Sequence, residues 1–193
     1  MSEKREGKQL LEFREEKKES KWTPERKKEI RGWVIAILGA VLAAFLIRTF
    51  LFTMIRVDGH SMLETLQDGD RVFVSILDVR LGGVDRGDIV ICHYPDRGWT
   101  NFVKRVIALE GDTVEIKDKV TYLNGEPLDE PFVVYPDKAD FGPVTVPEGK
   151  VFVMGDNRAN SSDSRYVGAL DENMIVGRVR LRWWPFSAFG AVE

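Results

Sequence analysis

The stretch FVKRVIALEGDTVEIKDKVTYLNG, residues 102–125, carries the clearest indication of the fold class of this chain. It contains three short runs rich in Val, Ile, Phe and Tyr, at 102–107, 113–116 and 119–123. Short runs of β-branched and aromatic residues between turn sequences predict strands. The dipeptide Asn124-Gly125 at its end is typical of a two-residue hairpin. The stretch therefore predicts consecutive antiparallel strands.

The same pattern continues over the rest of residues 57–193. Further strands are predicted at 71–76, 88–91, 151–154 and 175–181. Turn sequences such as Asp68-Gly69-Asp70 separate them, and no long helical pattern occurs in this part. Many short strands with turns between them are typical of an antiparallel β-sandwich or a partly open barrel. We therefore predict a mostly β fold here.

An apolar segment precedes the β-rich part. Residues 33–47 are all apolar or glycine, and extension to Phe52 gives about twenty residues, enough for a helix to cross ~30 Å of hydrocarbon. Arg48 then lies near the outer end, where its side chain reaches the headgroups. A cleavable signal sequence and a core helix are the alternatives. A charged leader of over thirty residues is long for a cleavable signal. We predict an uncleaved transmembrane signal-anchor helix at 32–52, followed by one domain at 53–193.

Charge predicts the orientation of this helix. Residues 1–31 form a charged tail with 11 Lys/Arg and 8 Asp/Glu. Four of the cations lie next to the helix: Arg26, Lys27, Lys28 and Arg31. Cytoplasmic flanks of membrane helices carry the excess of Lys and Arg. We therefore predict a single-pass protein with its tail in the cytoplasm and residues 53–193 outside.

Composition excludes several classes of function. The formal net charge is −3, and since the tail carries +3 the remainder carries −6, which excludes a nucleic-acid binder. The single cysteine, Cys92, excludes an internal disulfide framework and a multi-cysteine zinc site. Two histidines, His60 and His93, leave little for a metal cluster. No metal and no other cofactor is predicted.

Ser61 is a candidate nucleophile close to the membrane. It follows Gly59 and lies six residues after Ile55, so an extended chain holds it within ~20 Å of the apolar segment. A serine nucleophile needs a base within hydrogen-bond reach. His60 is adjacent in sequence and points away, and His93 lies at the end of a strand. A Ser-His-Asp triad is therefore not supported.

Lys104 is the candidate base. Strand alternation places it on one face with Phe102, Val106 and Ala108, where it is the single charge. Burial disfavours an ammonium group and lowers the pKa of a lysine, and a neutral lysine can accept a serine proton. The alternative is that this face is exposed and Lys104 is an ordinary surface lysine. The strand pattern leaves both interpretations open.

A polar loop follows the strand predicted at 151–154. Residues 155–165 read GDNRANSSDSR and include three serines. Such a loop can satisfy its own backbone through Asx- and Ser-turns. It can also position a neutral lysine by hydrogen bonds. The residues alone do not distinguish the two.

Four blocks of sequence together resemble the bacterial type I signal peptidases, or leader peptidases. They are 59–66 after the anchor, 86–90, 104–112 and 155–165, in the order and spacing of that family, and the resemblance covers residues 33–181. It implies a serine endopeptidase of the bacterial plasma membrane that cleaves N-terminal signal peptides from exported preproteins, on the outer face, through a Ser/Lys dyad and an acyl-enzyme. The implied partners are these preproteins and the lipid bilayer. The oligomeric state and the preproteins that are cleaved are not indicated.

The resemblance also implies roles for individual residues. Ser61 matches the family nucleophile and Lys104 the general base. Ser161 matches the serine that orients the lysine, and Asp163 and Arg165 match a supporting ion pair. The backbone N–H of Ser61 is expected to contribute to the oxyanion hole.

Two positions near these residues differ from residues found in the family, and a third matches it. Some members have a serine, as a second oxyanion donor, where this chain has Gly59, so that donor is expected from elsewhere. The family usually has proline at the position of Glu64, and proline fixes φ in the turn behind the nucleophile. Glu64 puts substrate preference or rate in question without changing either dyad residue. Asp156 falls on an aspartate of the last block and is expected to be structural.

Three other classes of protein compete with this interpretation. A non-catalytic, membrane-anchored envelope domain would keep the scaffold, and only Glu64 favours it. An autocleaving, repressor-like Ser/Lys peptidase would need an N-terminal DNA-binding domain, where this chain has a charged tail and an anchor. A penicillin-recognising enzyme would need Ser-x-x-Lys, but Glu64 stands three residues after Ser61.

Overall fold

The computed structural model describes residues 23–94, 98 and 100–192, with the side chains of these residues apart from 47–50. Residues 1–22 of the predicted tail and the side chain of Arg48 lie outside this part. The chain divides into two compact units, Met1–Ile47 and Arg48–Glu193, which we describe separately.

Helix α1, Pro24–Phe50, begins in the first unit. Thr23 caps it, since the backbone N–H of Arg26 donates to Thr23 Oγ1 at 3.4 Å, and proline suits the first helical position. The segment 24–46 is long and apolar enough to cross a membrane, with a mean hydropathy of 1.9. The helix begins eight residues before the predicted anchor and ends two residues earlier. That it spans a bilayer stays a prediction.

The second unit is built from short strands. In chain order they are β1 (Phe52–Arg56), β2 (Arg71–Ser75), β3 (Ile89–Cys92), β4 (Phe102–Ala108), β5 (Thr113–Lys117), β6 (Val120–Leu123), β7 (Glu126–Pro127), β8 (Phe141–Thr145), β9 (Lys150–Met154), β10 (Leu170–Asp171), β11 (Ile175–Trp184) and β12 (Gly190–Ala191). Two short α-helices lie between strands of the described part, α2 (Ile76–Gly82) and α3 (Ser164–Val167), together with three 3-10 turns at Arg158–Asn160, Glu172–Met174 and Phe186–Ala188.

These strands form two antiparallel sheets. The larger has the order β1-β2-β11-β3-β4-β9-β10, with β12 paired to β11, and it is curled into a half barrel. The smaller has the order β7-β6-β5-β8. The predicted fold class, mostly β with an antiparallel, partly open barrel after an apolar helix, is confirmed.

The seven predicted strands are present, and the strands that were not predicted have identifiable causes. Strand β1 lies in the apolar run after Arg48, and an apolar run alone does not distinguish a strand from the end of a helix. Strand β8 contains Gly142-Pro143, and both residue types argue against a strand. Strands β7, β10 and β12 have two residues each, too few to show a period.

The core positions the segments that form the candidate site. Met62 and Leu66, from the turn after β1, are 1% and 0% exposed and are buried in one cluster with Val72. Burying such side chains stabilises the fold by roughly 1.5–3 kcal/mol each, so this turn is held against the larger sheet. In another cluster, Phe152 of β9 is buried with Val114 of β5, which joins the two sheets.

Candidate active site

Ser61 lies in the turn between β1 and β2, residues 57–70, which we call the serine turn. A hydrogen bond closes the turn at its base, from the backbone N–H of Val57 to the carbonyl of Asp70 at 2.8 Å. Gly59 has a φ of +95°, which glycine adopts readily. A Cβ at Gly59 would meet no atom within 4 Å, so the space beside Gly59 is open, and Gly59 itself supplies no side-chain donor.

Lys104 of β4 points at this hydroxyl. Strand β4 lies between β3 and β9 in the larger sheet, and Lys104 is only 2% exposed. Its Nζ lies 2.8 Å from Ser61 Oγ and 2.9 Å from the carbonyl oxygen of Val103. The structure therefore brings the predicted nucleophile and base into direct contact. The alternative of an exposed surface lysine is wrong.

Burial lowers the pKa of Lys104 below the ordinary lysine value. Loss of solvation is the largest cause, and the negative charges of Asp163 and Asp156 raise the pKa without offsetting it. A larger fraction of this amine is therefore neutral near neutral pH than for a lysine in water. In its neutral form, the amine can accept the proton of Ser61.

Cys92 and the two histidines are the other candidates for a nucleophile or a base. Burial raises the pKa of the Cys92 thiol to about 12, so this thiol stays protonated and is a poor nucleophile. His60 is exposed, and Nδ1 of His93 lies 3.2 Å from the carbonyl oxygen of Thr100. A lysine, rather than a histidine, contacts the Ser61 hydroxyl.

The polar loop, residues 155–165, passes beside the serine turn. Gly155 lies so close to that turn that a Cβ built on it would collide with both the Ser61 carbonyl oxygen and Ser161 Oγ. Ser161 and the Ser61 carbonyl therefore both lie next to Gly155. The Ser161 hydroxyl is buried and makes no hydrogen bond to Lys104, whereas its contact with the Asp163 carboxylate helps to lower the pKa of that acid. That Ser161 orients the lysine stays a prediction.

Asp163 and Arg165 form the predicted ion pair. Nε and Nη2 of Arg165 donate to the two carboxylate oxygens of Asp163 at 2.8 and 2.7 Å, and the backbone N–H of Gly155 donates to the same carboxylate at 3.0 Å. Burial raises the pKa of Asp163, but the hydrogen bonds from Arg165 and the attraction of its charge outweigh this, so the pKa is lowered. The carboxylate therefore stays charged, and its charge favours the ammonium form of Lys104.

Asn157 also belongs to the site, although the sequence did not predict a role for it. Its backbone N–H donates to the Ser61 carbonyl at 3.0 Å, and its Nδ2 donates to the His60 carbonyl at 3.0 Å. The available signal was its place in the polar loop, because asparagine side chains commonly bond to backbone groups. Asn157 thus holds the two carbonyls on either side of the Ser61 N–H.

Asp156 is fully buried and pairs with Arg105. Nε and Nη2 of Arg105 donate to its two oxygens at 2.9 and 2.8 Å, and Thr65 Oγ1 donates to it at 2.5 Å. These bonds join β4, the serine turn and the polar loop. They agree with the structural role expected of Asp156.

A buried ion network behind the polar loop was also missed. Arg158 pairs with Glu130, and Arg165 pairs with Asp137; Arg158 Nη1 also lies 3.7 Å from Asp137 Oδ2. Both acids come from the segment between β7 and β8. Their partners are 28 residues away in each case, so no local pattern indicates the pairing.

The arrangement is suited to nucleophilic acyl transfer. It consists of a hydroxyl, a desolvated amine 2.8 Å from it, and a backbone held in place by the polar loop. A serine with a neighbouring base can attack a carbonyl carbon and form a covalent intermediate. Within the described residues, no group of three His, Cys, Asp or Glu is placed to hold a metal ion.

Comparison with known proteins agrees with this chemistry. Residues 30–184 match the model of the family described as signal peptidase, peptidase S26. The chain is 44% identical over 174 residues to Signal peptidase I S of Bacillus subtilis (strain 168), an alignment that covers 84% of this chain and 93% of the relative. It is 39% identical over 181 residues to Signal peptidase IB of Staphylococcus aureus (strain COL), covering 84% and 94%.

A solved structure also matches. It is a signal peptidase I from Enterococcus faecalis V583, with 34% identity and a TM-score of 0.45. The match covers 49% of this chain and 95% of that chain.

Proposed function

Because this chain belongs to the signal peptidase family, peptidase S26, and is a hydrolase of that family, we propose that it removes N-terminal signal peptides from exported preproteins with Ser61 as nucleophile and Lys104 as base. One observation carries the proposal. It is the 2.8 Å contact between Lys104 Nζ and Ser61 Oγ, made by a lysine that is 2% exposed. The names of the relatives support the substrate class.

In the acylation step, neutral Lys104 accepts the Ser61 proton as Oγ attacks the carbonyl carbon of the scissile bond. The charge of Asp163 stabilises the ammonium that forms. This ammonium then protonates the leaving amine, the peptide bond breaks, and the signal peptide remains as an ester on Ser61.

Deacylation repeats the proton transfers with water. Lys104, neutral again after acylation, accepts a proton from water as the water oxygen attacks the ester carbon. The ammonium returns a proton to Ser61 Oγ when the ester bond breaks, which releases the signal peptide as a carboxylic acid and restores the enzyme.

The backbone N–H of Ser61 is the oxyanion donor in this proposal. The His60 carbonyl and the Ser61 N–H belong to one planar peptide unit and point in opposite directions. Asn157 Nδ2 holds that carbonyl at 3.0 Å, so it also sets the direction of the N–H. A preorganised donor of this kind stabilises the negative charge that develops on the carbonyl oxygen.

We also place the enzyme in the bacterial plasma membrane, as a single-pass protein with residues 53–193 on the outer face. Helix α1 supports this, because segment 24–46 has the length and hydropathy of a membrane span. The cations at 26–31 support a cytoplasmic N-terminus. The lipid bilayer is then a permanent partner.

Cleavage of a preprotein by the full chain in detergent micelles tests the proposal. Ser61→Ala and Lys104→Ala are each expected to abolish cleavage, whereas Ser162→Ala, which changes an exposed serine of the polar loop, retains it. The resemblance to the signal peptidase family implies a preference for small side chains at the first and third positions before the cut, and a peptide panel varied at these positions is expected to show it. Cleavage that survives both dyad substitutions would eliminate the mechanism.

A further inference from the structure

The segment between β7 and β8, residues 129–140, contacts both the polar loop and the serine turn, and we call it the strap. Four of its side chains contact residues around the dyad: Glu130 contacts Arg158, Phe132 contacts Arg105, Tyr135 contacts Glu64, and Asp137 contacts Arg165. The strap connects two strands of the smaller sheet. These contacts therefore join that sheet to the surroundings of the dyad.

The charged contacts of the strap are buried and determine where it lies. The side chains of Glu130 and Asp137 are 8% and 3% exposed. The ring of Phe132 stacks on Arg105, with the centroid 3.8 Å from Cζ. Breaking a buried ion pair leaves an uncompensated charge, which is strongly unfavourable, so the strap is held firmly at these points.

Tyr135 extends the strap to the serine turn. Its backbone carbonyl accepts a hydrogen bond from the N–H of Ala159 at 3.2 Å, and its hydroxyl donates to Glu64 Oε1 at 3.1 Å. The other oxygen of Glu64 accepts from Gln67 Nε2 at 3.2 Å. Glu64 therefore connects two parts of its own turn and ties that turn to the strap.

The three segments form a closed ring of contacts. The serine turn is bonded to the polar loop by the Asn157 N–H and the Ser61 carbonyl at 3.0 Å. The polar loop is bonded to the strap through Ala159, and the strap returns to the serine turn through Tyr135 and Glu64. Each bond in such a network restricts the segments that make the others.

We propose that Glu64 and Tyr135 are positioning residues that hold the serine turn in its reactive geometry, an inference that rests on the proposed function. Glu64 stands three residues after Ser61, so freedom at this point displaces Oγ from Lys104. A proline at position 64 would restrict the turn through its fixed φ. In this chain a hydrogen bond from a residue 71 positions away supplies the restriction. A hydroxyl that donates to a carboxylate is a strong donor–acceptor pair, and the exposure of both groups makes its effect modest.

A crossed set of variants of the full chain in detergent micelles tests this pair through peptide cleavage. We expect Tyr135→Phe to lower kcat about fivefold and to change KM less than about twofold. In a Glu64→Pro background the same change is expected to alter kcat less than about twofold, because the ring replaces the lost hydrogen bond. Tyr122→Phe, which removes a hydroxyl from β6, is the matched control and retains the wild-type kcat.

The same loss from Tyr135→Phe in both backgrounds, or a loss in neither, would overturn the inference. If Glu64→Pro does not fold, Glu64→Ala serves as the second background. The hydrogen bond is already absent there, so Tyr135→Phe is expected to have no further effect. Additive losses in Glu64→Ala would equally overturn the inference.

Amide hydrogen exchange separates this inference from the proposed function, because it needs no activity. We expect Tyr135→Phe to speed exchange several-fold at Leu66 and Asn157, whose N–H groups are bonded within and to the serine turn, and to leave the amides of β5 unchanged. If the wild-type chain is inactive but exchange is faster in the variant, the proposed function is overturned, and the Tyr135–Glu64 hydrogen bond is only a structural contact. If the wild-type chain is active and exchange is unchanged in the variant, the positioning role of Tyr135 and Glu64 alone is overturned.

Discussion

Each face of strand β4 carries one buried basic side chain, and the two side chains have different partners. Lys104 and Arg105 are neighbours in sequence and are 2% and 3% exposed. Arg105 faces the carboxylate of Asp156, with two hydrogen bonds at 2.9 and 2.8 Å. Lys104 faces two uncharged oxygens, the hydroxyl of Ser61 and the carbonyl of Val103.

The chemical role of a buried cation therefore depends on its partner as well as on its burial. A guanidinium keeps its charge in proteins and is stable in the interior only when a carboxylate pairs with it. An ammonium can lose its proton, and burial against neutral groups favours that loss. The strand therefore carries a structural cation on one face and a titratable base on the other.

Of the changes that test this comparison, replacing Lys104 by arginine is expected to have the largest effect on cleavage. Lys104→Arg keeps a cation of similar reach but removes the ability to become neutral, so kcat/KM is expected to fall at least about 10³-fold. Steady-state cleavage of a peptide substrate measures this. The converse variant, Arg105→Lys, keeps a cation opposite Asp156 and is expected to stay active. A Lys104→Arg enzyme within tenfold of wild type would contradict the comparison.

Removing the charge that faces Arg105 affects stability. Asp156→Asn leaves the guanidinium buried without its counter-charge, and the free energy of unfolding is expected to fall by about 3–5 kcal/mol. Asp78→Asn is the matched control, because Asp78 and Arg180 form an exposed pair with side chains 32% and 51% exposed, where a loss below about 1 kcal/mol is expected. Chemical denaturation compares the two; equal losses would show that burial of the pair has no effect.

The pH dependence of cleavage tests whether the pKa of Lys104 is lowered. Since its pKa is lowered, the inactive ammonium gives way to the active amine below the pH at which an ordinary lysine titrates. We expect kcat/KM to rise about tenfold per pH unit at acidic pH and to level off before pH 10. A rate that still rises steeply through pH 10 would contradict a desolvated base.

The same lowered pKa predicts how stability depends on pH. Between the folded-state pKa and the ordinary value of 10.5, the unfolded chain binds a proton at Lys104 that the folded chain does not. Stability from this group therefore rises with pH across that window and is lost as pH falls through it. Lys104→Met is expected to remove this rise in denaturation curves measured at several pH values.

A smaller effect is expected at Ser161, whose hydroxyl makes no hydrogen bond to Lys104. Ser161→Ala is expected to lower kcat roughly tenfold while KM stays within about twofold, because the site loses a hydroxyl that can orient the ammonium during turnover. Ser162→Ala is the control, as the next serine of the polar loop is exposed. If both variants cleave at the wild-type rate, Ser161 has no role in positioning the lysine.

The local sequence pattern predicted seven of the strands listed above, and it missed strands where local signals conflict. Strands β4, β5 and β6 follow from residues 102–125, because their side chains and turns agree. Strand β1 follows an apolar helix without a turn residue between them, so its start is not visible in the sequence. Strand β8 contains Gly142-Pro143 and is held by its pairing with β5.

The residues of the candidate site also fall into those that the sequence predicted and those that it did not. Ser61, Lys104, Ser161, Asp163 and Arg165 lie in motifs. In the structure Gly155 contacts Ser61, Ser161 and Asp163, and Lys104 and Arg165 join the site through Ser61 and Asp163. Asn157 was missed although it lies in one of those motifs, because its role is to bond to backbone carbonyls of a distant turn. Glu130 and Asp137 carry no local pattern at all, since their partners come from another part of the chain.

The apolar helix, the antiparallel strands and their turns follow from the local sequence, because they depend on the spacing of side chains along a few residues. The desolvation of Lys104, and the contact of its amine with a hydroxyl 43 residues away, arise only in the folded sheet. Removal of water from an amine requires neighbouring strands to cover it from all sides. That arrangement is a property of the folded sheet and not of any one segment.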